Sequence, residues 1–324
     1  MADTQAPPTP PTPPAPTLPT TVAVVLVTYE SAEHLPACVA SLPPAAAPHD
    51  VELVVVDNAS RDDSVGIARS LGAKVVENPR NLGYSEGVNR GAAETAAPWL
   101  LVANPDTLLA PGSLARLIET ASADPRIACI GPRLRNLDGS DYPTGRRFPS
   151  MLMGAVHAAV APLWPDNPAT RRYHMAGVDR SRPLDVDWVS GACMLIRRQA
   201  FEQVGGFDPG YFMYFEEMDL CLRLHRVGWR VVFDPLAEVK HVVGGSTRSA
   251  PYRKVVHHHT SALRFYCRRY AGDLRLVLAP LVAAFLAVRG VASLARAVAA
   301  QRRDASRERP LAGPPPDELG RPQA

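Results

Sequence analysis

Two groups of acidic residues are placed to do chemistry in this sequence. The first is a single carboxylate, Asp106, which follows the apolar run Leu100-Leu101-Val102-Ala103 and the turn Asn104-Pro105. Proline cannot continue a central strand, so the turn delivers Asp106 just beyond a strand's C-terminal end. In open α/β sheets that rim is where ligands bind. A carboxylate there suits a hard divalent cation, Mg2+ or Mn2+, which shares its coordination with phosphate oxygens and offsets charge developing on a leaving phosphate. The second group is Glu216-Glu217-Met218-Asp219, where neighbouring carboxylates raise one another's pKa and supply candidates for a general base. Plainer readings stand beside both: Asp106 as a turn residue or helix cap, and the acid cluster as a helix N-terminus favoured by the dipole.

The elements that must position these groups alternate. Buried-strand patterns occur at Val22–Val27, Val51–Val56, Lys74–Glu77, from Leu100, and at Ile127–Ile130. Helical patterns lie between them at Leu35–Leu42, Asp62–Leu71, Val88–Ala96 and Pro111–Ala123. Strand–helix alternation implies a mostly parallel, doubly wound α/β sheet. The first two strands end on Thr28-Tyr29-Glu30 and Asp57-Asn58, where a carboxylate could accept from a pyrimidine N3–H or a ribose hydroxyl. The first strand is not followed by GxGxxG, which argues against a dinucleotide site. Arg133 to Arg182 loosens into Pro, Arg and Asp, as segments covering an active site often do. Further strands are expected at Val186–Val189, Ala192–Ile196, Arg230–Phe233 and Glu238–Val243, with helices at Arg198–Val204 and Met218–Val227.

The ends differ from the middle. Residues 1–20 are rich in Pro, Thr and Ala and read as a disordered leader, residues 21–250 as the catalytic unit, 251–303 as a basic and apolar helical extension, and 304–324 as a disordered tail. The uninterrupted apolar run Leu276–Val288 falls short of the ~20 residues a spanning helix needs, so it reads as an interfacial or core helix. A net charge of +3 without a concentrated basic face argues against a nucleic-acid partner. Five scattered cysteines without CxxC read as reduced core thiols.

Several motifs, taken in order, resemble the family 2 inverting glycosyltransferases of GT-A fold. They are Leu26-Val27-Thr28-Tyr29, Val56-Asp57-Asn58-Ala59-Ser60-Arg61-Asp62, Asn81-Leu82-Gly83-Tyr84, Asn89-Arg90-Gly91, Asn104-Pro105-Asp106, Trp188-Val189-Ser190-Gly191-Ala192, Gly205-Gly206-Phe207-Asp208, Tyr214-Phe215-Glu216-Glu217-Met218-Asp219 and His241-Val242-Val243-Gly244-Gly245-Ser246. The resemblance implies nucleotide-sugar contacts at Thr28, Tyr29, Glu30, Asp57, Asn58, Asn81, Gly83, Asn89, Arg90 and Asn104. It implies Asp106 and His241 at a Mg2+ or Mn2+ ion. Glu217 takes the position of the base, flanked by Glu216 and Asp219, in a family that usually shows Glu-Asp here. Trp188, Gly191 and Arg146 are the acceptor-side candidates. A narrower resemblance, to the polyprenyl-diphospho-GlcNAc rhamnosyltransferases of arabinogalactan linkage-unit synthesis, rests on Gly131-Pro132-Arg133-Leu134, Arg146-Arg147-Phe148-Pro149-Ser150, Leu163-Trp164-Pro165-Asp166-Asn167-Pro168 and His257-His258-His259-Thr260. It implies dTDP-L-rhamnose as donor, a lipid-linked GlcNAc as acceptor, and a peripheral seat on the cytoplasmic face of the plasma membrane. Alternatives are transfer of another hexose, such as mannose or galactose, and a catalytically inactive nucleotide-sugar-binding module.

Overall fold

The computed structural model describes residues 19–150, 153–154, 160, 164, 166–175, 177–241 and 251–307. Most of the Pro-rich leader, the Val242–Ser246 part of the last motif, Leu163 and Pro165, and most of the tail lie outside the described residues. The strands are β1 (Thr21–Thr28), β2 (Asp50–Asp57), β3 (Lys74–Glu77), β4 (Trp99–Ala103), β5 (Thr107–Leu109), β6 (Ile127–Arg135), β7 (Asp141–Tyr142), β8 (Leu184–Asp185), β9 (Cys193–Arg197) and β10 (Arg230–His241). The helices are α1 (Leu35–Ala46), α2 (Ser64–Ser70), α3 (Tyr84–Ala93), α4 (Ser113–Ala123), α5 (Pro168–Tyr173), α6 (Arg198–Gln203), α7 (Glu216–Arg226), α8 (Pro251–Arg269) and α9 (Ala279–Arg307).

One sheet runs β3-β2-β1-β4-β9-β6-β10-β5, with β7 on β6 and β8 on β10. Its first half is the expected parallel, doubly wound unit: β3, β2, β1 and β4 pair in parallel. The second half is mixed, because β9 enters antiparallel between β4 and β6. Both faces are covered. Val25, Val27, Leu100 and Val102 face a core shared with Phe207, Leu220 and Phe265. Val24, Leu26, Leu101 and Leu195 face one shared with Leu35, Leu114 and Leu117. A side chain at Gly91 would place its Cβ 2.5 Å from Val25, so the two Gly of α3, Gly87 and Gly91, let this helix lie close on β1.

Three expectations change. Val186–Val189 is a short pairing at Leu184–Asp185 followed by a bridge between Arg146 and Trp188. Arg230 to His241 is one strand, whose register with β6 shifts at Asp234–Glu238. The C-terminal apolar segment is longer than its uninterrupted run suggests: the helical stretch Leu274–Ala299 is long and apolar enough to cross a membrane, and it is not buried, which rules out a core helix. Arg289 interrupts the apolar composition but not the helix.

Candidate active site

Strand register brings the chemistry to one rim. Thr28 pairs with Asp57 at the ends of β1 and β2, and Leu26 pairs with Ala103 on β4. Ala103 also pairs with Cys193 on β9, so Asn104 lies beside Ala192, to whose carbonyl it donates its N–H at 2.9 Å. His241, the last residue of β10, pairs with Thr107 of β5, directly after Asp106. A cleft of about 300 Å3 opens there.

The cleft is lined at the ends of β1 and β2 and in the loop before α3 by Thr28, Tyr29, Asn58, Asn81 and Gly83. Thr28 Oγ1 donates to Asp57 Oδ1 at 2.9 Å, and Ser60 N donates to the other Asp57 oxygen at 2.8 Å. Asp57 is buried behind the cleft wall and holds the ends of the first two strands together. Asn58 donates to the Gly83 carbonyl at 3.1 Å and accepts from Asn78 at 2.8 Å. Gly83 has φ +89° and ψ 173°, a conformation that only glycine adopts readily. A Cβ there would sit 2.6 Å from the Phe212 carbonyl oxygen, which accepts the Tyr84 N–H at 2.8 Å.

The same cleft is lined by Asp106, His241, Glu216 and Glu217. Asp106 Oδ1 and His241 Nε2 lie 3.2 Å apart, yet Oδ1 is buried with no hydrogen-bond partner. The Asn104 amide nitrogen lies 3.4 Å from the same Nε2. A carboxylate and an imidazole facing each other this closely fit a divalent cation between them. Among the described residues there is no group of three His, Cys, Asp or Glu able to hold one, so the remaining ligands would be donor phosphate oxygens and water.

Glu216 and Glu217 begin α7, after Tyr214 and Phe215, both left-handed at φ +70° and +69°. One oxygen of each carboxylate is buried without a partner. Burial, then its neighbour's charge, pushes Glu216 well above the ordinary carboxylate range. Burial also raises Glu217, opposed by its own backbone amide, Arg146 and the Gly191 and Met218 amides. The Glu217 chain lies 3.5–3.7 Å from where a Cβ on Gly191 would be, and the Tyr84 hydroxyl donates to the Gly191 carbonyl at 2.9 Å.

Asn104 and Gly191 line the cleft as well, and the other candidates sit outside its lining. Asp219 is fully buried and paired with Arg223 at 2.7 Å and Arg268 at 3.2 Å. Asn89 bonds both the N–H and the carbonyl of Phe207, and Arg90 bonds Asn78. Glu30 is exposed with φ +53°. Trp188 is buried, and the Arg146 guanidinium stacks 4.7 Å from its ring centroid. Tyr142, Ser190, Phe212, Met213 and Tyr214 also line the cleft, although none of them is among the expected site residues. The aromatic run directly before the acid cluster was the available signal.

The family model for glycosyl transferase family 2 matches residues 23–205. This chain belongs to that family. Over 269 residues it is 40% identical to the N-acetylglucosaminyl-diphospho-decaprenol L-rhamnosyltransferase of Mycobacterium tuberculosis (strain H37Rv), covering 79% of this chain and 87% of the relative. Over 84 residues it is 40% identical to rhamnosyltransferase WbbL of Escherichia coli K12, covering 26% of this chain and 32% of that protein. Among solved structures, mannosyltransferase PcManGT from Pyrobaculum calidifontis in complex with GDP-Man and Mn2+ matches with a TM-score of 0.55 at 17% identity, over 89% of this chain and 77% of that one. GalNAc-T7 with UDP, GalNAc and Mn2+ gives 0.54 at 16% identity, over 76% and 47%. These two likenesses show the GT-A fold. The family 2 motifs converge here: ten residues of the expected nucleotide and metal sets or of the Glu-Glu pair line one cleft, namely Thr28, Tyr29, Asn58, Asn81, Gly83, Asn104, Asp106, Glu216, Glu217 and His241.

Proposed function

We propose that this glycosyltransferase moves L-rhamnose from dTDP-L-rhamnose to polyprenyl-diphospho-GlcNAc, with inversion at the sugar carbon, on the cytoplasmic face of the membrane that holds the acceptor. The observation that carries the reading is that buried, unpartnered carboxylate oxygens of Asp106, Glu216 and Glu217 belong to one cleft. The extended identity to the mycobacterial rhamnosyltransferase supports the choice of sugar and acceptor.

Roles follow from position. Thr28, Tyr29, Asn58 and Asn81 hold the nucleotide; Asp57 fixes the strand ends beneath it. Asp106 and His241 would hold Mg2+ or Mn2+, which when bound supplies charge compensation to the departing diphosphate. Glu217 takes the proton from the acceptor hydroxyl as that oxygen attacks; its raised pKa makes it a stronger base than an exposed glutamate. Glu216 is the more deeply buried of the pair, and its charge helps to raise Tyr84 and Tyr214. Tyr84 and Gly191 position Glu217 from behind.

A donor panel tests the reading. Purified protein, Mg2+ and a synthetic polyprenyl-diphospho-GlcNAc are offered dTDP-L-rhamnose, GDP-mannose, UDP-galactose or UDP-glucose, with product mass as readout. A deoxyhexose added only from dTDP-L-rhamnose is expected. Efficient use of one of the other donors in its place would overturn the sugar assignment.

A further inference from the structure

The C-terminal hairpin presents an apolar face to solvent. In α9, Leu281, Val288 and Val291 are 67%, 72% and 70% exposed. With Ala284, Phe285 and Ala295 they recur at three- and four-residue intervals, a single helical stripe. Leu274 and Val277, just before the helix, extend it at 93% and 78% exposed. The charges from Leu274 to Ala299 are three arginines, Arg275, Arg289 and Arg296, with no acid. At 100° per residue, the exposed Arg296 falls on one border of the stripe, where its head can reach phosphate groups while its stem lies along it.

The opposite side of α9 is occupied. Gly290, half a turn from the stripe, lies against the His259 ring, and Arg289 lies 3.2 Å from His259 Nε2. The contact points are equally far from the connecting turn, so α8 and α9 run antiparallel. α8 is itself fastened to the catalytic unit. Ser261 donates to the Met213 carbonyl at 3.0 Å, Arg264 pairs with Asp208 at 2.8 Å, and Phe265 is in the core against Phe148 and Phe215. A spanning α9 would therefore carry α8, with Arg253, Lys254, His257, His258 and Arg268, into hydrocarbon, which such groups strongly resist.

We infer that α9 lies in the plane of an anionic bilayer, its Leu281–Val288–Val291 stripe in the acyl boundary and Arg296 at the headgroups, and does not cross it. The inference deepens the proposed function, resting on it for the lipid-linked acceptor. The same hairpin buttresses the cleft lip: His257 stacks on Phe212 at 4.4 Å, and His258 packs on Tyr214 and Phe215. An in-plane α9 thus holds the Phe212–Tyr214 lip close to the surface from which a lipid diphosphate emerges.

The test uses the full chain with Cys267→Ser and one added cysteine at Leu281, Val288 or Ala295, labelled with a fluorophore. Each is mixed with phosphatidylcholine vesicles, with or without phosphatidylglycerol, carrying shallow or deep quenchers. At least about tenfold tighter binding to the anionic vesicles is expected, with all three sites quenched at one shallow depth. Leu281→Glu with Val288→Glu should weaken binding at least about tenfold. A depth profile with Val288 at the bilayer centre, flanked by shallower sites, would mean a spanning helix and overturn the inference. Self-association without vesicle binding would assign the stripe to a second copy and also overturn it. No sugar chemistry enters the measurement, so a failed donor panel and a failed vesicle assay are separate results.

Discussion

Replacing Glu217 by Gln changes one property of the cleft and little else. The amide keeps the volume and the path of the chain past Gly191, 3.5–3.7 Å from the position of a Cβ there. It cannot accept the acceptor's proton. Losing a general base costs ~10²–10⁴-fold, about 3–5 kcal/mol in the barrier at 1.36 kcal/mol per decade. The loss should fall on kcat, while the donor Kd, which the proposal assigns to Thr28, Asn58 and Asp106, should change little. Glu217→Asp keeps the proton acceptor and restores the usual family residue but withdraws it by one methylene, so its rate should lie between those of the parent and Glu217→Gln. Steady-state kinetics on a short-chain lipid acceptor, with donor binding by calorimetry, separates these terms. If Glu217→Gln matches the parent while Glu216→Gln is dead, the base is Glu216 and the reasoning from position is refuted.

Other perturbations read other parts of the account. Asp106→Ala should abolish turnover with the fold intact, and chelation should do the same to the parent, reversed by Mg2+ or Mn2+; full activity in chelator would remove the metal from the account. Glu216→Gln should stabilise the protein more as pH rises. The Glu216 pKa is raised in the folded state above its ordinary 4.5, so its favourable contribution is complete below that value and is lost as pH climbs through the raised pKa. The melting-temperature gain of the variant should therefore grow from pH 4 to pH 8, and a gain independent of pH would contradict the burial argument. Asp219→Asn leaves Arg223 and Arg268 without their shared buried carboxylate and should cost about 3 kcal/mol in denaturant unfolding; an unchanged midpoint with lost activity would return Asp219 to the catalytic set. Gly83→Ala forces a Cβ to 2.6 Å from the Phe212 carbonyl at φ +89° and should cost ~3 kcal/mol or displace the cleft lip, read as lost stability or a raised acceptor KM.

The parts of this fold that could be read from sequence were those set by local pattern. β1 and β4 are buried on both faces, so they appear as unbroken apolar runs, and the Asn104-Pro105 turn marks where one of them ends. Strand direction leaves no such mark. Cys193–Arg197 is as apolar as its neighbours, and only its antiparallel pairing shows how it brings Gly191 beside Glu217. The role of Asp219 had a legible sign, since Arg223 four residues later is its helical neighbour, but the second partner, Arg268, arrives from a distant helix. The length of α9 was hidden because Arg289 breaks the apolar run, whereas the helix keeps its geometry through that charge.

The most direct test of the account is the stereochemistry of the product. The parent protein, Mg2+, dTDP-L-rhamnose and polyprenyl-diphospho-GlcNAc are taken to completion, and the new linkage is read by NMR. A single in-line displacement with Glu217 as base predicts one rhamnosyl linkage whose anomeric configuration is opposite to that of the donor. A product that retains the donor's configuration, or donor hydrolysis without a linkage to GlcNAc, would contradict it.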